Sequence, residues 1–161
     1  VERYGSSTIA VAVETSKIRE DYEVLIETGR ERTGLNLYKW VEKIQNLGVG
    51  EIIITDISRE GKNKGFDIEF YKKLRSLIKV QLIAHGGAGP LENLANLFKI
   101  SNVDGVSIAS LFHYNYLKLN KKSKPKASNF FLQSFDDNEK KGVSISELKK
   151  YLISQNIKVR I

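Results

Sequence analysis

The stretch Val80-Gln-Leu-Ile-Ala-His-Gly-Gly-Ala-Gly-Pro-Leu-Glu92 holds the residues whose types and spacing best fit chemistry. A short apolar run, Val80 to Ala84, stops at His85-Gly86-Gly87-Ala88-Gly89-Pro90, and helix-forming sequence follows. Two adjacent glycines remove every Cβ where the chain turns, so backbone N–H groups can approach an anion closely. Pro90 suits the first turn of the next helix, whose N-terminus would add further N–H groups. The arrangement predicts a phosphate seat at the C-terminal end of a parallel strand. A tight Gly-Gly turn without a ligand is the alternative. His85 would either touch the anion or pack as a neutral imidazole.

Positioning such a seat requires strands and helices in alternation, and the chain supplies them. Ile9 to Val13 is apolar and β-branched, and Leu35 to Leu47 follows with a helical stripe at Leu37, Trp40, Val41, Ile44 and Leu47. Gly48 ends that helix, and Glu51 to Thr55 reads as a second buried strand. Asp67 is placed to cap a helix carrying Phe70, Tyr71, Leu74, Leu77 and Ile78. The strand at Val80, a helix over Leu91 to Phe98 and a fourth strand over Gly105 to Ala109 come next. Ser144-Ile-Ser-Glu147 is a capping-box signature opening a last helix through Leu148, Tyr151 and Leu152. Near-continuous apolar strands alternating with amphipathic helices predict four β/α units of a parallel α/β sheet.

Four units raise the question of closure. A (β/α)8 barrel usually needs roughly 250 residues, whereas this chain has 161. The expectation is a single domain over 1–161, the C-terminal half of a longer polypeptide. The alternative is a self-contained half-barrel, pairing with another chain or closing as an open sheet. Unprotected sheet edges favour association, so a homo-oligomer is one expected outcome.

Composition narrows the class. Hydrophobic residues make up 41%, enough for one core, and no cysteine is present to form a disulfide or a thiolate metal site. No apolar run is long enough to span a membrane and no secretory signal is visible, so a cytoplasmic protein is expected. The net charge of +7 is spread over helix faces and over 118–126 and 139–150, without the aromatic interleaving of an RNA surface. Anionic small substrates account for it without nucleic acid. No metal and no cofactor is called for. An insertion at about 119–142 breaks the rhythm, with a lysine-rich first part and an apolar cluster at Phe130, Phe131, Leu132 and Phe135. It is expected to dock on the body or meet a partner.

Four segments then carry a specific likeness. Gly50-Glu-Ile-Ile-Ile-Thr-Asp-Ile-Ser-Arg-Glu-Gly61, Lys64-Gly-Phe-Asp-Ile-Glu69, Ile83-Ala-His-Gly-Gly-Ala-Gly89 and Ser107-Ile-Ala-Ser-Leu-Phe-His113 stand in consistent order. They resemble the cyclase subunit of imidazole glycerol phosphate synthase, the HisF-like family. Glu147-Leu-Lys-Lys-Tyr-Leu152 and Ile157-Lys-Val-Arg160 are similar to that family's last helix and tail. The likeness covers the chain outside the 119–142 insertion. It implies units five to eight of a (β/α)8 barrel. The implied activity is a lyase that takes ammonia from a glutaminase partner. It acts on a phosphorylated ribotide to give imidazole glycerol phosphate and aminoimidazole carboxamide ribotide in histidine biosynthesis.

The resemblance also implies site residues. Glu14, ending Ile9 to Val13, aligns with an acid–base aspartate of the family; its partner aspartate belongs to the half absent here. The chain alone is therefore expected to be inactive. A glutamate adds a methylene and moves the proton-transfer atoms by roughly an ångström. Thr55 resembles a residue facing the substrate, and Glu60-Gly61 stands where the family has aspartate-glycine. Gly86, Gly87, Ala109 and Ser110 would hold one phosphate through backbone amides and the serine hydroxyl, as after strands seven and eight of many barrels. His85 replaces a serine, and His113 matches a family histidine with a structural role. Glu51, at the opposite end of its strand, resembles a residue gating ammonia entry beneath the glutaminase. Arg30 and Arg32, in the loop Gly29 to Gly34, are candidate contacts for an anionic substrate. Tyr22 to Ile26 is placed to form a hairpin with 15–18 over the site.

Three functions follow: the histidine-pathway cyclase, a paralogue delivering ammonia to a surface-polysaccharide sugar precursor, and a non-catalytic half-barrel that self-associates. Glu14, Ser58, Glu60, His85 and the insertion lean towards the paralogue, since each departs from the usual cyclase pattern.

Overall fold

The computed structural model describes residues 1–119 and 142–160, so the 119–142 insertion and its aromatic cluster lie almost wholly outside the described residues. The chain divides into two compact units, Val1–Ser107 and Ile108–Ile161.

The first unit is built on one six-stranded sheet: β1 (Ala10–Ile18), β2 (Asp21–Ile26), β3 (Glu31–Asn36), β4 (Glu51–Asp56), β5 (Gln81–His85) and β6 (Gly105–Val106). Their spatial order is β3-β2-β1-β4-β5-β6. The strands β1, β4, β5 and β6 run parallel, with α1 (Leu37–Asn46), α2 (Ile68–Leu77) and α3 (Leu91–Ser101) as crossovers. This is the α/β unit that the apolar strands imply, and it is consistent with part of a (β/α)8 barrel.

Several expectations change. The sheet is mixed rather than wholly parallel, because β2 and β3 join β1 as an antiparallel meander. Thr15 to Ile18 does pair with Asp21 to Val24, but the hairpin extends the sheet instead of forming a separate flap. Tyr22 stacks on Phe70 of α2 at 4.0 Å between ring centroids, which anchors the hairpin to the helical layer. The stretch read as the loop Gly29 to Gly34 is mostly strand β3, held by Arg32 and Gly34, which both donate to Glu23. The fourth parallel strand is also shorter than Gly105 to Ala109, covering only Gly105–Val106.

Helix starts follow local chemistry. Asn36 accepts from the N–H groups of Tyr38 and Lys39 and opens α1 two residues later than the apolar stripe implied. Asp67 caps α2 by accepting from Phe70 N–H at 3.1 Å, as expected. Pro90 is the N-cap of α3.

Strand alternation separates two faces. Val13, Thr15, Ile52, Ile54, Asp56, Leu82 and Ala84 are buried on the helix-covered face. The other face carries Ala10, Ala12 and Glu14 of β1, Glu51, Ile53 and Thr55 of β4, and Gln81, Ile83 and His85 of β5. Ala10, Ala12 and Gln81 there are exposed, and Ile53 and Ile83 half-buried.

The second unit contains α4 (Ser110–Leu119) and α5 (Ile145–Ser154). The helix α4 had no sequence-based expectation, since its apolar residues form no clean stripe. The capping box of α5 is present: Glu147 N–H donates to Ser144 Oγ, and Ser144 N–H to Glu147 Oε2. Those hydrogen bonds hold the Glu147 carboxyl below the usual carboxylate range.

Candidate functional site

Strand register assembles one row at the C-terminal end of the parallel sheet. Glu14 on β1 is opposite Thr55 on β4, and Thr55 is opposite His85 on β5. Directly paired residues share a face, so carboxylate, hydroxyl and imidazole lie side by side. Strands lie about 4.8 Å apart, which sets the outer two Cα atoms of the row about 10 Å from each other. Thr55 Oγ1 and His85 Nδ1 are 3.0 Å apart, a hydrogen bond. Thr55 is 7% exposed, whereas Glu14 and His85 are half-buried and accessible. A carboxylate, a hydroxyl and an imidazole on one rim are groups that can exchange protons and hydrogen bonds with a polar ligand.

The glycine turn begins one residue beyond this row. Gly86 has φ +80, and a Cβ there would come within 2.6 Å of the Asp56 carbonyl oxygen. Gly87 has φ +124 and would press on Arg59 Cβ and the Gly65 carbonyl at 3.1 Å. Close packing against the loop 57–66 thus demands these glycines in its own right. Gly65 N–H donates to Gly87 O at 2.8 Å. In a trans peptide the N–H is opposed to the C=O, so the Ala88 N–H is directed away from that loop. The turn is therefore oriented by its neighbour.

A second polar cluster backs the turn, and sequence reasoning missed it. Asp56, 1% exposed, accepts from Ser58 N–H at 3.0 Å and Ser58 Oγ–H at 2.6 Å. Arg59 reaches Asp56 at 3.7 Å, Asp67 at 3.3 Å and the Gly65 carbonyl at 3.1 Å. Burial pushes the Asp56 carboxyl above the usual carboxylate range, and Ser58 and Arg59 offset this only in part. Tyr71, fully buried, places its hydroxyl 2.9 Å from both the Ile54 and the His85 carbonyl oxygens. Its phenol is pushed far above the ordinary range, chiefly by burial, and stays a neutral donor. The available signal for Asp56 was an acid directly after an apolar strand and three residues before an arginine.

The other expected residues are placed as follows. Glu60 and Gly61 are exposed in the loop 57–66, with Glu60 N–H donating to Asp56 O at 3.1 Å. Glu51 begins β4, opposite Ala10 and Gln81, at the far end of the strand from Thr55. Arg32 is committed to Glu23 at 2.6 Å, and Arg30 is exposed in the turn before β3. That ion pair also holds the Glu23 carboxyl below the usual range. A surface depression of about 290 Å³ lies at β3 and α1, lined by Gly34, Leu35, Asn36, Lys39, Trp40 and Lys43. Its strand, β3, stands two positions along the sheet from the strand of Glu14. In the second unit, Ala109 is exposed and accepts from His113 N–H at 3.0 Å, Ser110 opens α4, and His113 packs edge-on to Tyr114. Among the described residues there is no group of acids and histidines able to hold a metal ion, and no helix long and apolar enough to cross a membrane.

A parallel sheet with a polar row and a glycine turn at its C-terminal strand ends is the architecture of an α/β ligand-binding rim. Residues 1–118 match the model of the histidine biosynthesis protein family, and the chain belongs to that family, on its HisF-like side. It is 31% identical to imidazole glycerol phosphate synthase subunit HisF of Natranaerobius thermophilus over 160 residues, 99% of this chain and 53% of the relative. The same subunit of Clostridium beijerinckii is 34% identical over 160 residues, 98% of this chain and 53% of the relative. That of Chloroherpeton thalassium is 38% identical over 113 residues, 70% of this chain and 45% of the relative. The chain spans about half the length of these curated relatives.

Proposed function

We propose that this chain supplies the C-terminal half, units five to eight, of a (β/α)8 cyclase barrel. In this reading the assembled enzyme takes ammonia from a glutaminase subunit. It closes the imidazole ring of imidazole glycerol phosphate and releases aminoimidazole carboxamide ribotide. Glu14 is the acid–base carboxylate of this half, Thr55 orients the ligand, and Gly86 and Gly87 face one of its phosphates. In the second unit, Ala109 and Ser110 would offer an amide and a hydroxyl to a phosphate; Glu60-Gly61 would line the rim of the first unit, and Glu51 would stand at the ammonia entrance. The observation that supports the reading most directly is the register of Glu14, Thr55 and His85 at one strand end, one residue before the glycine turn. The match to subunits named HisF supports the reaction class.

The test is ammonia-dependent turnover of the phosphorylated ribotide by the intact gene product. Release of both products supports the pathway cyclase; no turnover with ammonium salts at saturating ribotide ends it. The chain 1–161 alone is expected to be inactive and to gain activity with an N-terminal half of a relative.

A second reading is favoured by His85, an imidazole bonded to Thr55 beside the turn. It is a paralogous subunit passing ammonia to a surface-polysaccharide sugar precursor. Turnover of such a precursor, with none of the ribotide, would select it.

A further inference from the structure

We propose that His85 is a proton-transfer residue working opposite Glu14, with its ring held in one tautomer by Thr55. The proposal rests on the cyclase reading for its substrate, but its geometry stands in the row itself.

His85 is anchored twice. Its carbonyl oxygen is 2.9 Å from the buried Tyr71 hydroxyl, and its Nδ1 is 3.0 Å from Thr55 Oγ1. A residue whose backbone and ring are both fixed is preorganised, which a loose contact to a phosphate does not need. The Thr55 hydroxyl stands between two neighbours and has a single hydrogen. Nδ1 can donate to the hydroxyl oxygen or accept its hydrogen, and the two cases correspond to the two tautomers of the ring. The proposed polarity is Nδ1–H donating to Thr55 Oγ1, which leaves the hydroxyl hydrogen for a ligand on the open face. That choice leaves Nε2 as the working nitrogen. The tautomer of a working histidine is set by the bond its other nitrogen makes.

The two groups are about 10 Å apart at Cα, and both side chains are long enough to flank one reacting centre on that rim. In the step, Glu14 takes a proton from one ligand atom, and Nε2 of the His85 imidazolium gives a proton to another. Nδ1–H remains on Thr55 throughout. Glu14 then releases its proton to water and Nε2 regains one, so protons balance over the cycle.

Long-range 1H–15N NMR of the 161-residue chain reads the tautomer directly. The neutral ring is expected as the Nδ1–H form in the wild type and Thr55→Ser, and as a mixture in Thr55→Val. A dominant Nε2–H form in the wild type, or no change in Thr55→Val, overturns the proposal. In the ammonia-dependent assay of the intact gene product, His85→Asn is expected to lower kcat about a hundredfold or more, with KM within about threefold. A raised KM with kcat retained would make His85 a ligand contact only and would also overturn it. An inactive wild type showing the Thr55-locked Nδ1–H form defeats the cyclase reading and supports the tautomer lock.

Discussion

Thr55 and Asp56 are sequence neighbours at the end of β4, yet they serve opposite layers. Asp56 faces the helices, is 1% exposed, and has its oxygens taken up by Ser58 and Arg59. Thr55 faces the other way, in a row where Glu14 and His85 remain half-open. The covered layer spends its polar groups on one another and on the loop 57–66. The open layer leaves the Glu14 carboxylate and the His85 imidazole half-buried. Alternation along a strand therefore divides scaffold from chemistry with a single step of the chain.

The contrast breaks if substitutions in the open layer unfold the protein or those in the covered layer spare it. The largest effect is expected from Glu14→Gln: kcat of the intact gene product falls about 10²–10⁴-fold, while the thermal midpoint is unchanged because Glu14 has no partner on the covered face. A large drop in midpoint would move Glu14 into the scaffold. Next is Gly86→Ala, which forces a Cβ against the Asp56 carbonyl at positive φ. A loss of about 3 kcal/mol or more is expected in urea unfolding, from backbone strain and a clash that no flexible side chain can relieve. Wild-type stability would show that the loop 57–66 yields easily.

Tyr71→Phe removes a buried hydroxyl that serves two carbonyl oxygens. The expected cost is about 1–2 kcal/mol, read as a shift in denaturation midpoint at constant slope. The smallest effect is in acid. Asp56 has its folded value raised by burial, so the folded protein holds that proton more tightly than the unfolded chain. The stability this supplies is complete below the ordinary carboxylate value and is lost as pH rises through the raised one. Asp56→Asn lacks that dependence. The wild type's stability relative to the variant should therefore decline with rising pH across that window, as followed by thermal melts. A difference that grows with pH would mean that Arg59 outweighs burial.

Much of this was readable from particular residues. The caps at Asp67 and Ser144 are local, since a side-chain oxygen meets an N–H three residues away. The buried strands Glu51–Asp56 and Gln81–His85 announced themselves as apolar runs ending in turn residues. The strand β3 was not readable, because Glu-Arg-Thr-Gly-Leu-Asn has no alternation and exists through its pairing with β2 and the Arg32–Glu23 contact. The helix α4 lacked a clean stripe. The scaffold role of Asp56 was hidden for a related reason: its partners Ser58 and Arg59 are brought to it by the turn of the chain after β4.

Sequence by itself determined the parallel β/α units and the glycine turn, because periodicity and small-residue spacing act over a few positions. Glu14, expected to end its strand, lies midway along β1, which runs on to Ile18 to pair with β2. Only the tertiary structure decided which neighbour faces the helices and which faces the open side. It alone also set Thr55 against His85 and closed the loop 57–66 on Gly86 and Gly87. Those outcomes depend on inter-strand register and on packing between segments some 20 to 30 residues apart, as in the 30-residue separation of Thr55 and His85, and no local pattern encodes them.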